Sequence, residues 1–107
     1  RRIAPFEPHL PTTRMNDGRC DRQGRFVVGG YNEAHNTDGG RAISGVYRVD
    51  TDLTLIELLD YKVRVANTIC FSLDGCTMYF CDSPTKRIMA YDNYNEHAAE
   101  PSPGPGT

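Results

Sequence analysis

Tryptophan is absent from the sequence and only 38% of its residues are apolar, which excludes a large buried core. Nothing approaches the run of roughly 18 apolar residues that a membrane-spanning helix needs. A secretory or transit segment is also missing, and Arg1-Arg2-Ile3 at the start, without Met, suggests a processed or trimmed terminus. No basic cluster occurs: 12 Lys and Arg, scattered along the chain, stand against 14 Asp and Glu for a net charge of −2. Nucleic acid and anionic membrane surfaces are therefore excluded as main partners. The cysteines Cys20, Cys70, Cys76 and Cys81 have neither zinc-ribbon nor CxxC spacing. They could form two disulfides, but three lie in apolar strand patterns, where Cys acts as a small hydrophobe. Buried free thiols, and with them a reducing intracellular (cytoplasmic) compartment, are the expectation. No His partners a Ser or Cys in a nucleophile motif; His9 lies in the N-terminal lead-in, and His35 and His97 in polar loops. A catalytic triad is thus unsupported.

What the chain does contain is a repeat. Asn16 is followed eight positions later by Gly24, and Asn67 in the same way by Gly75. A strand-like run follows each glycine, Arg25-Phe26-Val27-Val28-Gly29 and Thr77-Met78-Tyr79-Phe80-Cys81. A further strand closes each unit, Val46 to Asp50 and Ile88 to Asp92. The first unit adds a fourth at Leu53 to Leu59, for which a short helix is the alternative. Asp74-Gly75 between two apolar runs signals a hairpin with a primed turn, and Gln23-Gly24 is a weaker version of it. Short antiparallel strands repeating at about 40 to 50 residues describe β-propeller blades, with a small self-contained β sandwich as the alternative. The ends differ: residues 1–11 contain Pro5, Pro8 and Pro11 and read as an extended lead-in, and 95–107 as a flexible Pro/Gly-rich tail.

Thr13-Arg14-Met15-Asn16-Asp17-Gly18-Arg19-Cys20-Asp21, then Gly24-Arg25-Phe26, resembles the R-x-N-D-G-x-x-D-x-x-G-R-[FYW] signature of the SMP-30/gluconolactonase/regucalcin family. Ala66-Asn67-Thr68-Ile69-Cys70-Phe71-Ser72-Leu73-Asp74-Gly75 resembles that family's next-blade signature, S-N-G-x-x-[FW]-S-x-D-G. The resemblance implies an all-β fold in which residues 12–94 form two consecutive four-stranded antiparallel blades of a six-bladed propeller, incomplete as a closed ring. It also implies an axial divalent cation, most often Ca²⁺, and hydrolysis of sugar lactones or related esters. On that pattern Asn67 is a metal ligand, while Arg14 and Asn16 face the substrate. An Asn carbonyl is a hard oxygen donor suited to such a cation, and both Asn residues could instead simply cap turns. Asp17 and Asp82 are expected to bond blade backbone.

Glu33 is a further substrate-contact candidate. The family places acidic residues after the second strand of this blade, but here Ala34 stands where the contact would fall, so Glu33 would act by a one-residue shift. The family's other metal carboxylates and its general base come from blades not in these residues. No catalytic residue is assigned, and the chain alone is expected to be inactive and to hold no cation tightly. Two exposed sheet edges need the remaining blades or a partner protein to cover them. The rival reading is therefore a non-catalytic structural or interaction subunit. Phosphotriesterase- or strictosidine-synthase-like propellers share the architecture, but the Arg-x-Asn-Asp-Gly motif points to the lactonase branch.

Overall fold

The computed structural model describes residues 1–34 and 40–96. His35 and His97, and the tail beyond residue 96, lie outside them. Among the described residues seven strands form two antiparallel sheets. The first contains β1 (Thr13–Cys20), β2 (Phe26–Asn32), β3 (Val46–Val49) and β4 (Leu55–Glu57), paired in chain order. The second contains β5 (Ala66–Phe71), β6 (Met78–Asp82) and β7 (Met89–Tyr91), again in chain order. Each sheet is an up-and-down meander, as a blade requires. The expected four strands are present in the first blade, but the second shows three among the described residues. After Tyr91 the chain enters a short 3-10 turn, Tyr94–Glu96, which buries Tyr94 instead of extending the sheet. Leu55–Glu57 is a strand and not a helix; Leu58 and Leu59 follow it into the core.

Both hairpins close as expected but by a different turn. Gly75 N–H donates to Ser72 O and Gly24 N–H to Asp21 O, so each loop is a four-residue turn ending in glycine. Gly75 has φ 74° and Gly24 φ 82°, the left-handed geometry that returns the chain to the ladder after such a turn. Asp74 Oδ1 accepts from Ser72 Oγ and Cys76 N–H, so the loop side chains hold the turn that a two-residue primed loop would have made with backbone alone.

The sheets face each other across an apolar seam. β2 is buried along nearly its whole length, as a strand covered on both faces must be. Val27 and Val46 from the first sheet meet Ala66, Ile69, Met78 and Phe80 from the second in one cluster. Gly29 permits the approach, because a Cβ there would sit 2.2 Å from Ala66 Cβ. Polar links join the blades beside the β1–β2 and β5–β6 turns. Asp21, 6% exposed, accepts from Arg25 Nε (2.7 Å) and from the Tyr94 hydroxyl, while the Arg22 guanidinium donates to Phe71 O and Ser72 O. Burial alone would raise the Asp21 pKa; the Tyr94 hydroxyl and the Arg25 amide and guanidinium outweigh it and hold the carboxyl below its usual range.

The lead-in is bound to the first sheet. Glu7, 4% exposed, accepts from Ser44 Oγ (2.8 Å), Gly45 N–H (2.7 Å) and the Tyr47 hydroxyl. Phe6 packs edge-on against Tyr47, with ring centroids 5.4 Å apart. The cysteines are free as expected, but none is buried: Cys20 and Cys76 are exposed, and Cys70 and Cys81 half-buried. Cys70 and Cys81 face the partly open sides of β5 and β6 and not the seam. Among the described residues no helix is long and apolar enough to cross a membrane.

Candidate functional site

Both inner strands, β1 and β5, are interrupted by a bulge, at the repeated Asn in β1 and directly after it in β5. In β1 the ladder runs from Met15 opposite Gly30 to Gly18 opposite Val28, leaving Asn16 and Asp17 against Gly29 alone. In β5 it runs from Asn67 opposite Cys81 to Cys70 opposite Tyr79, leaving Thr68 and Ile69 as the irregular pair. A bulge frees backbone groups and re-aims side chains. Here the first bulge stitches into the second: Asn16 Nδ2 donates to Ala66 O at 2.8 Å, and Ile69 N–H donates to Asp17 Oδ2 at 2.9 Å. The repeated register thus brings Asn16 against the residue preceding Asn67. Asn16 is therefore not a simple turn cap.

The expected backbone roles of the two aspartates are present. Asp17 takes the amide freed by the second bulge, and Asp82 accepts from Arg64 and Val65 N–H. Thr68 has φ 58°, an uncommon conformation for a β-branched residue, where the family signature carries glycine.

Arg14 and Glu33 come together. Arg14 Nε donates to Glu33 Oε2 at 2.7 Å, with 57% and 53% of their side chains exposed. Arg14 lies opposite Tyr31 in the ladder, and its guanidinium carbon sits 5.3 Å from the centre of that ring. Glu33 N–H donates to Thr12 O at 2.9 Å, which fixes the backbone that carries the carboxylate. The part of Tyr31 was not legible from composition. The bulge slips the register by one residue, so a continuous ladder counted back from the Gly24 turn would have put Asn32 opposite Arg14.

Asn67 is exposed; its Oδ1 accepts from Thr68 N–H at 3.0 Å, and its Nδ2 donates to Ser83 Oγ at 3.3 Å. The amide oxygen is a suitable hard donor and has a second lone pair. Among the described residues, however, no group of three or more His, Cys, Asp or Glu could hold a metal ion. By themselves these residues do not make a cation site. Glu7 and Tyr31 are the residues that sequence reasoning missed here. His9 is exposed on the lead-in and joins none of these groups.

Comparison with known proteins agrees with this geometry. L-arabinolactonase of Azospirillum brasilense is 48% identical over 91 residues, which are 85% of this chain and 29% of that protein. The solved structure of a luciferin-regenerating enzyme superposes with a TM-score of 0.75 at 28% identity, over 84% of this chain and 29% of its own. A calcium-binding protein, regucalcin from Agrobacterium tumefaciens, gives a TM-score of 0.72 at 30% identity, over 84% and 28%. The chain therefore spans less than a third of the length of these relatives, and its two sheets do not close a ring. The sequence model described as SMP-30/Gluconolactonase/LRE-like region matches residues 2–103, so the chain belongs to the SMP-30/gluconolactonase/LRE-like family.

Proposed function

We propose that residues 12–94 are two blades of a metal-dependent sugar-lactone hydrolase, preceded by the 1–11 lead-in and followed by the 95–107 tail. The observation that carries this reading is the joined pair of bulges. Asn16 and Asn67 sit on adjoining inner strands, and Arg14, two residues before Asn16, shares their strand end. In this reading Arg14 donates to a ring or carbonyl oxygen of the lactone, and Asn16 Oδ1 and Glu33 accept from its hydroxyls. Asn67 is one ligand of a divalent cation, Ca²⁺ on the donor chemistry, whose other ligands and general base come from blades beyond this chain. When bound, such a cation polarises a carbonyl and favours ionisation of water. The two blades alone are then inactive, and a reducing compartment suits the four free thiols.

The test is lactone hydrolysis by the natural full-length polypeptide, followed by proton release. Chelation is expected to abolish turnover and added Ca²⁺ to restore it, with Asn67→Ala raising the Ca²⁺ concentration needed for half-maximal turnover at least tenfold. Turnover indifferent to both chelator and Asn67→Ala would overturn the reading. One feature also suits the alternative of a non-catalytic subunit. Ile3, Met15, Phe26 and Leu55 border an open apolar groove of about 360 Å³ on the first sheet, which a partner protein could cover as readily as another blade. No lactone turnover under any metal condition favours that alternative.

A further inference from the structure

We propose that a cavity between the blades, bordered by Lys62, Arg64 and Arg87 over an apolar floor, binds a small phosphate monoester. None of its lining residues belongs to the joined bulges or to the Arg14–Glu33 pair, so the proposal stands apart from the lactonase reading. The cavity measures about 380 Å³, within the usual range for small-molecule sites. Lys62 and Arg64 come from the link between β4 and β5, and Arg87 from the connection between β6 and β7. Phe80 and Met89 supply the floor, and Tyr61 stands beside them. Phe80 belongs to the seam cluster and Met89 is its ladder partner on β7, so both look toward the first blade. The cavity therefore opens along the seam and not on the face of the second sheet that a following blade would cover.

Both arginines stand on tethered backbone with their guanidinium groups unspent. Arg64 N–H donates to the Asp82 carboxylate, and Arg64 O accepts from Asn32 N–H at 2.9 Å. Arg87 follows the short Ser83–Thr85 turn, closed by Lys86 at φ 59°, and its N–H donates to Thr85 Oγ1 at 3.3 Å. Among the described residues neither guanidinium makes a hydrogen bond or an ion pair. Lys62 is held by Glu57 and keeps two further N–H donors. Asp82, the carboxylate on the cavity, is 9% exposed and spends both oxygens on the Arg64 and Val65 amides. Cations scattered along a sequence of net charge −2 are thus gathered here as two free forks and an ammonium. A carboxylate, with two oxygens and one charge, would occupy only one fork. A phosphoryl group, with three terminal oxygens and up to two charges, can use both forks and the ammonium together. The floor and the ring of Tyr61, 41% exposed, suit an apolar body behind that group.

The experiment is titration calorimetry of the natural full-length polypeptide with phenyl phosphate, inorganic phosphate, benzoate and phenol. A chelator is present throughout, so that no phosphate binds by way of a divalent cation elsewhere. Phenyl phosphate is expected to bind once per chain with Kd below about 1 mM, inorganic phosphate and benzoate more weakly, and phenol not at all. Arg64→Gln and Arg87→Gln should each weaken phenyl phosphate about tenfold, as loss of a charge-assisted hydrogen bond does. Lys86→Gln, beside Arg87 in sequence but off the cavity, should change the affinity by no more than about twofold. Thermal melting of each variant verifies that the fold is kept. Absence of phenyl phosphate binding by wild type, benzoate or inorganic phosphate binding as tightly as phenyl phosphate, or an affinity unmoved in the Arg64→Gln/Arg87→Gln double variant overturns the proposal. A Lys86→Gln loss as large as that of Arg87→Gln also overturns it, because the anion would then follow the general surface field and not the cavity.

Discussion

Glu7 offers the sharpest quantitative test of how the fold is held. Its carboxylate is 4% exposed and sits among three donors: Ser44 Oγ, Gly45 N–H and the Tyr47 hydroxyl. It also holds φ 44°, a conformation that costs a non-glycine residue about 1 kcal/mol. Glu7→Ala leaves those donors without an acceptor. The Tyr47 hydroxyl, half-buried, can turn to water, whereas Ser44 is 0% exposed and the Gly45 amide has no other partner in the backbone network. Two stranded donors at about 1–3 kcal/mol each give an expected loss of about 3–4 kcal/mol. Glu7→Gln keeps the shape. Its oxygen can still accept from Gly45 and Tyr47 while its amide donates to Ser44 Oγ, so the loss falls to about 1 kcal/mol of charge assistance.

The assay is urea unfolding of the full-length polypeptide together with hydrogen exchange over residues 43–48. The Gly45 amide should exchange about a hundred- to a thousandfold faster in Glu7→Ala, since each 1.4 kcal/mol is about a factor of ten. It should exchange no more than about tenfold faster in Glu7→Gln. If the two variants agree within about half a kcal/mol, water replaces the carboxylate freely and the lead-in is not an integral part of the first blade.

Three further outcomes are expected. Gly29→Ala should destabilise by about 2–3 kcal/mol through its clash with Ala66 Cβ, and Ala66→Gly in the same chain should restore part of that loss; additivity of the two in unfolding experiments would refute the close approach. Asp21→Asn should cost about 3 kcal/mol at neutral pH by breaking its buried pair with Arg25, but should flatten the acid side of the stability curve. The sign follows from a folded pKa held below the unfolded value of about 3.9: the stabilisation is complete above that value and lost as pH falls through the folded pKa, so wild type and Asp21→Asn converge below about pH 4. Tyr47, Tyr91 and Tyr94 are all pushed well above the usual phenol range, first by burial and then by Glu7, Tyr61 and Asp21 respectively. Their contribution is complete below about pH 10 and lost above it, so the tyrosinate absorbance of these three residues, isolated by single Tyr→Phe difference spectra, should rise in one cooperative step with alkaline unfolding and not as a graded titration.

The repeat made the blades legible because strands, turn glycines and the Asn register recur along the chain, and local pattern is what sequence reading detects. The features that join the blades carry no such pattern. Glu7 is a lone acid in a Pro-rich stretch, and its donors lie 37 to 40 residues away. Tyr31 meets Arg14 only because a bulge shifts the pairing, and a bulge leaves no trace in the alternation of apolar residues. The two Asn positions, equal in sequence, are also unequal in the fold. Asn16 spends its amide nitrogen on Ala66 O just before the second bulge, and its neighbour Asp17 takes the Ile69 amide within it. At the matching place after Asn67 stands Thr68, which lacks a carboxylate to reach onward and is held at φ 58°. Thr68→Gly should therefore stabilise the protein by up to about 1 kcal/mol, since the side chain is exposed and glycine adopts that φ freely. A loss of stability on that substitution would mean that the Thr68 side chain does work in the second bulge comparable to Asp17 in the first, and that the apparent freedom of Asn67 to take a ligand has been misread.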